Sequence, residues 1–162
     1  MANRGNFQIE WTGFEEFKRI LQDMTRDTSD VFRREYTKFG MLAEEGARAL
    51  APQDRGDLAS TINADAPNVS ARGVSIEVGV GSIYGPYQHE KRDGGPTYAK
   101  YDNGAKFPGY YSGGYGARTR SKPSWRGARP GRKYLERTVQ LIETDFNEMN
   151  ERILQQIMEG RR

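Results

Sequence analysis

Ala51-Pro52-Gln53-Asp54-Arg55-Gly56-Asp57-Leu58 is the stretch whose reading decides the fold. A long helical pattern runs into it, and Pro52 stops that pattern because the residue before a proline avoids the helical region. Asp54 can hydrogen-bond the turn backbone, Gly56 permits a positive φ, and Leu58 and Ile62 then return to the core. Downstream, Val74-Ser75-Ile76-Glu77-Val78-Gly79-Val80-Gly81 alternates strictly, so Val74, Ile76, Val78 and Val80 share one face of a strand. Its other face, Ser75, Glu77, Gly79 and Gly81, is left to solvent or to a partner chain. Turn chemistry at Pro67-Asn68 and Ala71-Arg72-Gly73 predicts a hairpin ahead of that strand. Tyr84-Gly85-Pro86-Tyr87-Gln88-His89-Glu90 follows as a short helix or turn.

Two helical regions lie before the break. Phe14, Phe17, Leu21 and Met24 form one apolar face, and Val31, Phe32, Tyr36, Phe39, Ala43, Ala47 and Leu50 form a second, with Asp27 or Thr28 as its cap. Phe7-Gln8-Ile9-Glu10-Trp11 reads as a small edge strand. After Arg132 the strongest helical pattern in the chain carries Leu135, Val139, Ile142, Phe146, Met149, Ile153 and Ile157 on one side.

The 162 residues contain no Cys and a single histidine, His89, which excludes disulfides, thiol nucleophiles and Cys-ligated metals. No apolar run approaches the ~20 residues of a membrane span, and the N-terminus lacks a secretory h-region, so a soluble cytoplasmic product is expected. His89 with Glu90 could be imagined as an acid–base pair. Neighbours on a helix point in different directions and no nucleophile is near in sequence, so a structural or solvent-exposed histidine is expected. Gly79-Val80-Gly81 opens like a dinucleotide loop, but Tyr84 stands where the third glycine belongs. A hydrolase or nuclease finds no carboxylate cluster at metal-ligand spacing.

The net charge of +3 hides an asymmetry: residues 91–130 hold nine Lys or Arg against Asp93 and Asp102. The same segment carries eight glycines, four prolines and a set of aromatics. Loops of this length are usually functional or disordered. The segment reads as an arm, possessing at most a hairpin, that is mobile alone and ordered against something else. Tyr98, Tyr101, Phe107, Tyr110, Tyr111, Tyr115, Arg118, Arg120, Lys122, Trp125, Arg126 and Arg129 are its candidate partner-contacting residues. A protein partner, nucleic acid held by Arg and Lys with aromatics on bases, and a solvated insertion all remain open.

Ala51–Leu58 resembles the Ala-Pro-x-Asp-Thr-Gly-x-Leu motif of the tail-completion, or head–tail joining, proteins of long-tailed bacteriophages, with Arg55 in place of Thr. Tyr84–Glu90 is similar to that family's Tyr-containing segment, with Lys91 where Gly is usual, and Arg132–Thr138 loosely resembles its closing motif, Tyr134-Leu135 standing for Phe-Leu. The resemblance covers residues 14–90 and 132–157 and leaves the arm as an insertion. It marks Pro52, Asp54, Gly56, Leu58, Tyr84, Tyr87, Glu90, Tyr134 and Leu135 as structural positions, not an active site. It implies a non-enzymatic virion protein without cofactor or metal, made in the host cytoplasm and placed in the phage neck. Its partners would be five further copies in a homo-oligomeric ring, the head-side connector or stopper, and the tail tube or tail terminator. DNA in the channel is a further contact, and no membrane is involved. The expected fold is α+β in one domain: a small antiparallel β-sheet (strands about 59–82) against a long N-terminal helical region (14–50) and a long C-terminal helix (132–159), with an extended arm over 91–131.

Overall fold

The computed structural model describes residues 6–7, 26–70, 72–91, 97–112 and 115–159. The expected helix face Phe14, Phe17, Leu21 and Met24 lies outside the described residues, as does Gln8–Trp11 of the expected edge strand. The fold is α+β, with small antiparallel sheets packed beside helices. In chain order the elements are β1 (Asn6–Phe7), α1 (Arg26–Leu50), α2 (Asp57–Ser60), β2 (Ile62–Ala64), β3 (Asn68–Ser70), β4 (Gly73–Ser75), β5 (Val78–Val80) and α3 (Gly85–Glu90). The arm contributes β6 (Tyr98–Asp102), β7 (Ala105–Ser112), β8 (Tyr115–Gly116) and α4 (Ala117–Ser121), and α5 (Tyr134–Leu141) and α6 (Glu143–Glu159) close the chain.

α1 is the spine. Its 25 residues span about 37 Å at ~1.5 Å per residue. Phe32, Tyr36, Phe39, Ala43, Ala47 and Leu50 are buried along one stripe, against β2 and the two C-terminal helices. Asp27 and Thr28 fall inside the first turn of this helix and not at its cap. Phe39 meets Phe146 with ring centroids 5.4 Å apart, and Tyr36 meets the same ring edge-on at 6.4 Å. Gly46 is required by close approach: a Cβ there would sit 2.6 Å from the Trp125 ring.

The alternating segment Val74–Gly81 is two strands where the sequence predicts one. β4 pairs with β3, whereas β5 lies between β1 and β2 in another sheet. The chain changes partner at Ile76-Glu77, where the Asp65 amide donates to the Glu77 carbonyl at 2.8 Å. The alternation survives the crossing, since Ile76, Val78 and Val80 all remain buried. On the outer edge of β2, Arg48 donates to the Ile62 carbonyl (2.9 Å) and Glu44 accepts the Ala64 amide (2.8 Å). The two side chains, one turn apart on α1 and themselves paired at 2.9 Å, occupy backbone groups that would otherwise invite another strand.

The single C-terminal helix expected over 132–159 is also divided. Ile142 (φ −108°, ψ 10°) separates α5 from α6, and Arg126 from the arm donates to the Leu141 carbonyl (3.0 Å) and pairs with Asp145 at the break. The turn keeps Leu135 and Ile142 on one side and Phe146, Met149, Ile153 and Ile157 on the other within one core. No helix of the described residues is long and apolar enough to cross a membrane.

Candidate functional site

The loop after α1 is the meeting point of the three segments that the sequence singles out. Four carbonyls are left over at any helix C-terminus, and here the arm supplies the donors. Lys122 Nζ donates to the carbonyls of Arg48 and Ala51, both at 2.9 Å, and the Gly131 amide donates to Leu50 at 2.9 Å. Burial pushes the Lys122 ammonium below its ordinary value. One residue beyond Pro52, Gln53 is clamped by Thr119, whose hydroxyl accepts the Gln53 amide (2.9 Å) and donates to its carbonyl (3.0 Å). Thr119 is buried.

Asp54 is the hub. Lys100 Nζ and the Tyr110 hydroxyl (3.1 Å) both donate to its carboxylate, and Arg118 donates to its backbone carbonyl at 2.7 Å. Burial alone would raise the Asp54 carboxyl. The hydrogen bonds from Lys100 and Tyr110, with the charges of Lys100 and Arg118, outweigh it and hold the group below the usual carboxylate value. Lys100 also lies over the Tyr110 ring, 4.9 Å from its centroid. Gly56, at φ +101°, turns the chain into α2, and Leu58 packs partly buried against the core.

A second junction joins the Tyr segment to the last motif. The Lys133 amide donates to the His89 carbonyl (2.8 Å), Lys133 Nζ to Glu90 (2.8 Å), and the Tyr134 hydroxyl to the Gly85 carbonyl (3.3 Å). Tyr134 and Leu135 lie in the core, and burial pushes the Tyr134 phenol up to about 12. His89 is buried edge-on to Tyr134, at 5.1 Å, and its Nδ1 lies 2.8 Å from Glu90 Oε1. The expectation that these neighbours point apart fails because Glu90 is the last residue of α3, free to fold back over the helix end.

Between the loop, α3 and the arm lies a cleft of about 260 Å³, with Gln53 and Asp54 on one side, Tyr84 and Gln88 on the second, and Tyr111 and Tyr115 on the third. Among the described residues no group of three or more His, Asp or Glu side chains could hold a metal ion.

The arm is not the extended, free-standing segment that its composition predicts. Asn103 (φ 49°) and Gly104 (φ 78°) turn β6 into β7 with the positive-φ pair of a type I′ turn, and β8 adds a short third strand. Seven of its twelve candidate partner-contacting residues serve the chain itself. Tyr115 is buried, and its hydroxyl donates to the Lys91 carbonyl at 3.3 Å. Arg120 donates to the Tyr115 carbonyl, Tyr110 and Arg118 hold Asp54, and Lys122 caps α1. Trp125 packs against the core with its indole donating to Glu45 (3.3 Å), and Arg126 holds the α5–α6 break. Tyr111 is half-buried in the cleft wall, and Arg129 is exposed, its carbonyl accepting from Arg137 at 2.7 Å. Tyr98, Tyr101 and Phe107 stay in solvent at 58, 67 and 46 % exposure. Tyr84 and Tyr87, expected as structural positions, are instead 66 and 63 % exposed, because α3 turns them outward while Gly85 and His89 face in.

Sequence reasoning missed Thr119, Lys100 and Glu35. Glu35 is a buried carboxylate with Lys38 at 2.8 Å, Arg34 at 3.4 Å and Arg152 of α6 at 4.0 Å. The Asn103-Gly104 dipeptide was the available signal for the hairpin; nothing in the sequence marks Thr119. No family model, no curated protein and no solved structure matches the chain.

Proposed function

We propose that this chain is a structural subunit of the neck of a long-tailed bacteriophage, a tail-completion or head–tail joining component that forms a ring between the head-side connector and the tail tube. The observation that supports this best is that the segments resembling the family's motifs form one continuous framework. The helix Gly85–Glu90 is hydrogen-bonded to the start of α5, and the loop at Asp54, bonded to the arm, faces that helix across the cleft. Their polar groups are engaged in holding one segment to the next: the Asp54 carboxylate takes Lys100 and Tyr110 of the arm, Glu90 takes the Lys133 ammonium, and the Tyr134 hydroxyl donates to the Gly85 carbonyl. On this reading the chain is not an enzyme. Its working parts are the surfaces left over once the framework is built, chiefly the aromatic hairpin and the outward Tyr84 and Tyr87.

The test is a null allele in a phage carrying this gene. The reading predicts that DNA-filled heads and complete tails accumulate separately and join when purified protein is added to the extract. Joined, infectious particles formed without the protein would refute it.

A further inference from the structure

We propose that the β6–β7 hairpin of one copy docks on the exposed face of α6 of a second copy, head to tail. The inference deepens the reading above and rests on it only for closure of the ring. The hairpin presents Tyr98, Tyr101 and Phe107 to solvent beside the exposed Lys106, and among the described residues no strand pairs the outer edge of β6. Lys106 is the hairpin's exposed cation, since Lys100 is held by Asp54. Three exposed rings beside a cation call for a partner that is acidic and partly apolar. α6 meets that description, with five carboxylates against Arg152 over residues 143–159. Glu148, Glu151, Gln155 and Met158, spaced three, four and three apart, form one exposed stripe along it. Met158 is 70 % exposed, and its thioether suits packing against aromatic rings.

Within one molecule the arm meets the start of α6, where Arg126 pairs with Asp145, and the face left for a second copy is the far end around Gln155 and Met158. Gln156 of α6 contacts Arg34 near the start of α1, whereas the arm is fixed to the carbonyls of Arg48 and Ala51 at its far end. Those points lie about 25 Å apart along the helix axis at ~1.5 Å per residue. A contact between the hairpin and that face is therefore made with another copy, and it is heterologous: each copy offers one hairpin and accepts one. Such contacts repeat, closing into a ring when the rotation per copy divides a full turn. Three rings at roughly 150–250 Å² each fall short of the ~800 Å² per partner of a standard interface, so the association is weak and salt-sensitive.

Two variants test it by sedimentation: Y101A/K106E, which breaks the hairpin, and E151Q/M158S, which breaks the α6 stripe. All four positions are exposed, so both variants should unfold at the wild-type midpoint. Wild-type protein is expected to self-associate at about 0.01 M salt and to dissociate at about 1 M. Each variant alone should associate at least ~10-fold more weakly. Mixed in equal amounts they should form a one-to-one dimer and nothing larger, because each retains the face that the other lacks. Assembly unchanged in both variants overturns the docking surface while leaving the neck reading intact. A wild-type chain that stays monomeric at both salts overturns the inference. If that monomer instead binds a single-stranded oligonucleotide through Tyr101 and Lys106, the hairpin is a nucleic-acid surface.

Discussion

Around α1 the contacts are apolar: Phe32, Leu50, Ile62, Tyr134, Ile142 and Ile153 are enclosed, and their stabilisation scales with area removed from water. Around Asp54 they are polar, and the arm is held by Lys100, Tyr110, Arg118, Thr119 and Lys122 acting on one loop and one helix end. Hydrogen bonds and ion pairs of that kind contribute modestly each, and the charged ones weaken as pH neutralises a partner or salt screens it, whereas buried apolar area carries no titrating or screened charge. The body is therefore the resistant part of the molecule and the arm the adjustable part. An insertion can be anchored without enlarging a core when its polar groups meet backbone that the body already leaves unpaired.

The sharpest separation of the two regions comes from the core. Phe32→Ala should cost about 3–5 kcal/mol in denaturant unfolding, because the ring is fully enclosed and the cavity lies along α1. Next, Lys122→Ala leaves two carbonyls at the end of α1 without their donor, and about 1–3 kcal/mol is expected. Asp54→Ala is smaller, about 1 kcal/mol, since the carboxylate is partly exposed and screened. It should nevertheless free the hairpin, read as faster amide exchange in β6 and β7 with α1 unchanged. Because the Asp54 carboxyl titrates below its ordinary value in the folded chain, its contribution is full above the ordinary Asp value of ~3.9 and is lost as pH falls through the folded-state value. Acid should therefore release the hairpin, and the Asp54→Asn variant should not show that step. Arg126→Ala, at a half-exposed pair with Asp145, should cost no more than about 1 kcal/mol and less at high salt. Last, Phe107→Ala should change stability by under about 0.5 kcal/mol while reducing assembly. A large loss of stability there would mean that the hairpin belongs to the core.

The helical faces were legible because burial repeats at helical spacing: the core contains the stripe from Phe32 to Leu50 and Leu135, Ile142, Phe146, Met149, Ile153 and Ile157, whereas Val139, expected with them, is only half-buried. The stop at Pro52 was legible because it is local backbone chemistry. The partner change at Ile76-Glu77 was not, since alternation records which face a residue occupies and not which strand lies beside it. The Ile142 break was hidden for a related reason. Apolar spacing continues across it, and the side chain bonded at the break is Arg126, sixteen residues away in sequence. In the arm, composition showed aromatics and cations but not their targets, because Asp54, Gln53 and the carbonyls of α1 become partners only once Pro52 has ended the helix.

In the proposed role the chain is a ring subunit whose own body anchors a hairpin aimed at a neighbour. A cryo-EM map of the neck of a phage encoding this chain tests it most directly. The account predicts a ring between connector and tail tube, with Tyr98–Ser112 of each copy seated on α6 of the next and Lys122 still capping α1. A neck without density for this chain would contradict it.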